Sequence, residues 1–176
     1  MTPPDDARPS LGDTLFRLAQ DITKLDPGPL ARLRRMGCYG PGEGDFWVLA
    51  MRHGLRTDAP GMRLIQFLAM LTPKGAPHLP KKLHDAKRSL GTALVEANYP
   101  ESRLLRFLAL PFETRGDAME GMVRWLAAKG HEGINIVDIA LLLFSPDVRH
   151  ARRLAQTYYA AHHKAADTTA KKDAAA

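Results

Sequence analysis

Apolar side chains recur at three- and four-residue steps through almost the whole of this chain, and that spacing belongs to helices. In "LGDTLFRLAQDITKL" the recurring positions are Leu11, Leu15, Leu18, Ile22 and Leu25. Proline and glycine cut the pattern into short pieces, because both are disfavoured in helix interiors. Pro27 and Pro29 open an "ARLRR" helix. "GPGEG" is a break, "DFWVLAMRHGL" a short helix with Asp45 as N-cap, and "APGMRLIQFLAML" another that ends at Thr72-Pro73. Further on come "AKRSLGTALVEA", then "NYPESRLLRFLAL" with Pro100 and Glu101 in its first turn, then "GDAMEGMVRWLAAKG" closing on Gly130. "NIVDIALLLF" is apolar nearly all round and reads as a buried helix, with a buried strand as the other reading. "SPDVRHARRLAQTYYAAHH" opens with Ser145 as N-cap and Pro146 at the first helical position. No alternating run finds a strand partner, and no fixed-period repeat is present. The pattern predicts an all-α chain, a compact bundle of eight or nine helices.

"TPKGAPHLPKKLHD" holds three prolines and a glycine, the longest irregular stretch. It divides the chain into a flexible tail over 1–10, an N-terminal helical lobe over 11–73, a basic Pro-rich connector over 74–83, a C-terminal helical lobe over 84–163 and a disordered tail over 164–176. The 176 residues are 45% hydrophobic, enough to bury a core. "IALLLF" falls far short of a membrane span, and "MTPPDDARPS" has neither the basic nor the apolar region of a secretory signal. A cytoplasmic protein is expected.

Chemistry is conspicuous by what the spacing lacks. "GPGEG" is not followed by Lys-Ser/Thr and cannot cradle a triphosphate. There is no Gly-x-Ser-x-Gly and no His-Glu-x-x-His. The single cysteine, Cys38, excludes an internal disulfide and any multi-thiolate zinc site, and it reads as a small apolar residue rather than a nucleophile. His162 and His163 are adjacent and point to different helix faces, which does not make a metal pair. Asp5 and Asp6 lie in a tail. No cofactor, metal or catalytic group is expected, so the chain does not read as an enzyme.

The net charge of +6 calls instead for an acidic partner. From Arg63 to Arg88 there are six basic residues and one acid, whereas Glu96 to Asp138 is slightly acidic. In "LARLRRM", at about 100° per residue, Leu30 and Leu33 make an apolar side. Arg32 and Arg35 face away from it, and Arg34 borders it. In "ESRLLRFLAL", Leu104, Leu105, Phe107 and Leu108 form the core stripe, opposite Arg103 and Arg106. In "DVRHARRLAQTYY", Ala151, Leu154, Ala155 and Tyr158 face inward while Arg149, Arg152 and Arg153 line a polar side. Three helices thus carry arginines at neighbouring positions, and "PKKLHDAKR" adds Lys81, Lys82, Lys87 and Arg88. Each cluster taken singly is also what a solvated helix face looks like. Taken together they suit phosphate, because the guanidinium fork matches its oxygens and stays charged. Such contacts would read backbone, not base sequence. Trp47, Trp125, Tyr158 and Tyr159 could stack bases but at helical spacing are more simply core, with Tyr159 the best placed for exposure.

"LARLRRM", "SLGTAL", "ESRLLRFLAL", "GMVRWLAA", "INIVDIALLLF" and "VRHARRLAQTYY", in that order from Leu11 to Tyr159, resemble the CasB-type small subunit of the type I-E CRISPR surveillance complex, Cascade. That family often has Trp in the last helix where this chain has Leu154. The resemblance implies a non-catalytic, all-α protein in two lobes, present as two copies stacked head to tail. It implies contacts with the backbone and large subunits of a ribonucleoprotein, and a part in holding the guide RNA–target DNA duplex and the displaced strand. It carries a functional double arginine onto Arg34 and Arg35, and a Ser-Arg segment onto Arg103. Two other readings fit the composition: a free-standing helical DNA-binding regulator, which would need a helix-turn-helix, and a helical protein–protein adaptor.

Overall fold

The computed structural model describes residues 9–73 and 82–173. Lys81, Asp5, Asp6 and most of the connector lie outside the described residues. Nine helices run through those segments: α1 (Leu11–Thr23), α2 (Pro27–Arg35), α3 (Gly44–His53), α4 (Ala59–Leu71), α5 (Leu90–Glu96), α6 (Glu101–Leu108), α7 (Phe112–Lys129), α8 (Ile136–Phe144) and α9 (Val148–Asp173). There is no strand among the described residues, only an isolated bridge between His84 and Ile134. "NIVDIALLLF" is therefore a helix, as its length and all-round apolarity favour.

Local chemistry sets the helix starts. Ser10, Asp58, Ser89 and Asn135 each accept a backbone N–H of the first turn that would otherwise lack a partner. Pro27 takes a first-turn position of α2, where its missing N–H costs nothing. Several boundaries differ from the sequence pattern. Glu43 takes the N-cap position of α3 and Asp45 lies in its first turn. Ser145 closes α8, and α9 begins only at Val148. α7 starts at Phe112, one residue after Pro111. The segment 164–173 continues α9 as helix rather than opening a tail, in keeping with its alanines and lysines.

The helices of the two lobes share one continuous core. α4 is its centre: ten of its residues are buried, and it packs on α1, α2, α7 and α8. α8 lies against α1, α4, α5, α7 and α9, which is why it is apolar nearly all round; its one charge, Asp138, accepts the Leu90 N–H at 3.0 Å. Leu83, placed in the connector by composition, is buried in this core, and its carbonyl accepts the Ile134 N–H at 3.0 Å. α5 crosses α9 at very close range. A Cβ on Gly91 would come 2.2 Å from Thr157 Oγ1 and 2.4 Å from the Tyr158 nitrogen, so the crossing needs glycine. No helix among the described residues is long and apolar enough to cross a membrane.

Candidate nucleic-acid interface

Arg34 and Arg35 end α2, and the structure separates them. Arg34, half-buried, donates from Nε to the Ala69 carbonyl at 2.8 Å and from Nη2 to the Thr72 carbonyl at 3.1 Å. These are carbonyls at the C-terminal end of α4, where orphan acceptors and the negative end of the helix dipole favour a cation. Burial lowers its pKa. Arg34 is thus a tie between α2 and α4. Arg35 is exposed and makes no hydrogen bond or ion pair among the described residues. Arg32, which the helix wheel leaves as a plain solvated charge, is bonded to Asp45 at 2.9 Å.

The second cluster rides on α6, which packs against both α7 and α9. Leu104 and Phe107 are buried, but Leu105 is 49% exposed, so the core stripe is narrower than the sequence pattern. Eight residues give α6 little more than two turns, and only one side of it meets neighbours. Arg103 lies over the Trp125 ring of α7, 5.1 Å from its centroid, and Arg106 is exposed and unpaired among the described residues. Lys129 approaches the same ring at 5.6 Å. Trp125 is fixed by its indole N–H on the Ala97 carbonyl at 2.9 Å and an edge contact with Tyr99. α9 joins this surface through Tyr159, whose hydroxyl donates to Glu101 at 2.6 Å. Arg152, seven residues before Tyr159, shares its helix face and is exposed and unpaired among the described residues. Tyr159 is partly exposed and Tyr158 buried, as the pattern suggests.

Other candidates are occupied. Arg149 pairs with Asp147, whose pKa is lowered to about 2 by that bond, and the pair persists across ordinary pH. Arg88 pairs with Glu96 and donates to the Gly133 carbonyl at 2.8 Å. Lys82 pairs with Asp85 at 2.7 Å, and Arg153 lies 3.7 Å from Asp138. Lys87 alone of this group is exposed without a side-chain partner among the described residues. The sequence candidates therefore do not merge into one patch. Arg103 and Arg106 lie on α6, Arg152 lies on α9, Arg35 stands at the end of α2, and Arg88, Arg149 and Arg153 serve internal contacts.

The sequence pattern missed a groove of about 660 Å³ beside Arg34 and Arg35, walled by α4 and α7. Arg63, 5% exposed, forms a close ion pair with Asp117 and donates to the Tyr39 hydroxyl at 3.1 Å. Burial opposes its charge, but the bonds to Asp117 and Tyr39 outweigh this and raise its pKa. Gly116 leaves the room it needs, since a Cβ there would lie 3.2 Å from Arg63 Cδ. Arg124 lines the same groove, paired with Glu120 on α7. A signal for this site was legible: a buried arginine inside the apolar run "GMRLIQFLAML" must find a partner for its charge. Its partner, Asp117, lies 54 residues away. No group of histidine, cysteine and carboxylate side chains among the described residues is placed to hold a metal. In comparisons with known proteins, no family model, curated protein or solved structure matches the chain.

Proposed function

We propose that this chain is a non-catalytic, cytoplasmic small subunit of a type I-E Cascade ribonucleoprotein, gripping nucleic-acid backbone without reading sequence. One observation carries the reading: exposed arginines on separate helices remain without acidic partners, although most other arginines are paired. Arg35, Arg106 and Arg152 have no hydrogen bond or ion pair among the described residues, and Arg103 is held only over an aromatic ring. Unpaired guanidinium groups on a rigid helical body suit phosphate oxygens. In RNA-guided recognition, base pairing reads the sequence while protein supplies shape and charge. Guide RNA, target DNA and the displaced strand are the proposed ligands. The backbone subunits, the large subunit and a second copy of this chain are the proposed protein partners. The exposed apolar side chains of α3, Trp47, Val48 and Met51, offer a surface for one of them.

The test is binding of the purified chain to labelled DNA of two unrelated sequences across a salt series. Equal affinities are expected, with a linear fall of log K against log salt. Replacing Arg103, Arg106 and Arg152 together by alanine is expected to lower the slope by about 2 to 3, at roughly 0.7–0.9 for each phosphate no longer neutralised. A preference of tenfold or more for one sequence would favour the free-standing regulator. Absence of any binding would favour the adaptor. Co-purification of the chain with a short RNA of defined length would support its place in the ribonucleoprotein.

A further inference from the structure

We infer that the groove between the end of α2, α4 and α7 receives one nucleotide of a single strand, its base stacked on Tyr39 and its phosphate on Arg35. This rests on the nucleic-acid reading of the chain and assigns it a base platform, Tyr39, in the groove that Arg35 lines.

Tyr39 has an unusual combination of properties. Its side chain is 80% exposed, yet it is fixed. Arg63 donates to its hydroxyl at 3.1 Å and lies 5.4 Å from its ring centroid. Arg63 is itself buried and locked to Asp117. An exposed aromatic ring normally costs ordering entropy when something binds to it. Here that cost is already met by a buried guanidinium, so the ring is a preorganised flat surface. A base laid on it would complete a stack of guanidinium, phenol ring and base, an arrangement that every base can enter through its π-face.

The charges around the ring give the ligand a direction. Four arginines and two carboxylates line the groove. Asp117 is bonded to Arg63 and Glu120 to Arg124, and Arg34 is held on the carbonyls of α4. That leaves Arg35 as the lining guanidinium with no partner among the described residues. The phosphate belongs at Arg35, with the exposed Arg124 within the same groove as a second contact. Asp117, bonded to the arginine that holds Tyr39, lies at the base end, where a carboxylate accepts hydrogen bonds from exocyclic amines and sugar hydroxyls. The groove volume of about 660 Å³ holds a nucleotide and is open enough for the strand to enter and leave.

The experiment uses the full chain and fluorescence anisotropy with two single-stranded DNA probes of about 15 nucleotides, within the range such sites cover. One probe carries bases, and the other is abasic throughout. The wild-type chain is expected to bind the base-bearing strand about tenfold more tightly, in line with one stacked base. Tyr39→Ala should abolish that preference and leave the abasic strand unaffected. Tyr39→Phe, which keeps the ring and loses the hydroxyl acceptor, should retain most of it. Arg35→Ala should weaken both strands alike and reduce the salt slope by about 0.7. Equal wild-type binding to the two probes, or unchanged discrimination in Tyr39→Ala, overturns the assignment while leaving backbone binding through Arg103, Arg106 and Arg152 intact. Wild-type binding to neither probe overturns both. Melting temperatures of the variants confirm that each is folded.

Discussion

Replacing Arg34 and Arg35 one at a time should separate an arginine that ties helices together from one proposed to meet phosphate, although they are neighbours in sequence. Arg34 spans from α2 to the last turn of α4 with two charge-assisted hydrogen bonds, at 2.8 and 3.1 Å. Hydrogen bonds to a charged group contribute about 1.5–3 kcal/mol, part of which is the favourable position of a cation at a helix C-terminus. Arg34→Ala strips both carbonyls of their side-chain partner where they border the core, and should cost about 2 kcal/mol. At roughly 2–4 °C per kcal/mol for a chain of this size, the melting temperature should fall by about 4–8 °C. Arg34→Lys should recover part of the loss, because an ammonium restores the charge but not the fork that spans two carbonyls. Arg35→Ala should leave the melting temperature within about 1–2 °C of wild type, since an exposed, unpaired side chain contributes little. Its effect should appear in the salt dependence of nucleic-acid binding. Differential scanning fluorimetry and salt-series anisotropy on the same preparations read both quantities. If Arg34→Ala melts like wild type and lowers the salt slope as much as Arg35→Ala does, Arg34 is a phosphate clamp and the two residues do not divide into a structural and a functional one.

Gly91→Ala should cost about 3 kcal/mol, because the new methyl meets the backbone of α9 and cannot be relieved by a rotamer change; a thermal melt that matches wild type would refute the close crossing. Acid should loosen the junction around His84 and His131. Burial lowers the pKa of both imidazoles below the ordinary histidine value of 6.5, and His131 is held between the Leu71 carbonyl and the Gly133 N–H. The unfolded chain therefore takes up protons that the folded chain resists. This source of stability is complete above pH 6.5 and is lost as pH falls through the lower folded-state values. Urea midpoints should drop on going from about pH 7.5 to about pH 5, and His131→Gln should flatten that drop; an unchanged dependence in the variant would refute it.

The helices themselves were legible because their information is local. Spacing of Leu15, Leu18 and Ile22, the proline at the start of α2 and the glycine after α7 act within a few residues. The all-α class and the inward face of "ARRLAQTYY" follow from the chain alone. Termini were less legible: Ser145 and Asp45 are good caps by type, yet neighbouring geometry assigned Ser145 to the end of α8 and moved the cap position of α3 to Glu43. Leu105 looked like core because its helix wheel places it there, but α6 is too short and too peripheral to be covered on that side.

What the sequence could not decide was which cations are free. Charge, type and helix face are properties of one segment, and so are near pairs such as Arg149–Asp147 and Arg124–Glu120, but the other cations are neutralised only by what a separate segment brings within about 4 Å. Asp45 occupies Arg32, Glu96 occupies Arg88 and the carbonyls of α4 occupy Arg34. Arg63, set in a row of apolar neighbours, is held by Asp117 and Tyr39 on two other parts of the chain. The sequence by itself determined a basic, all-helical body with arginines on its helices. The tertiary structure decided which of them hold that body together and which stay unpaired wherever the partner comes from a separate segment, as Asp45 does for Arg32 and the carbonyls of α4 do for Arg34.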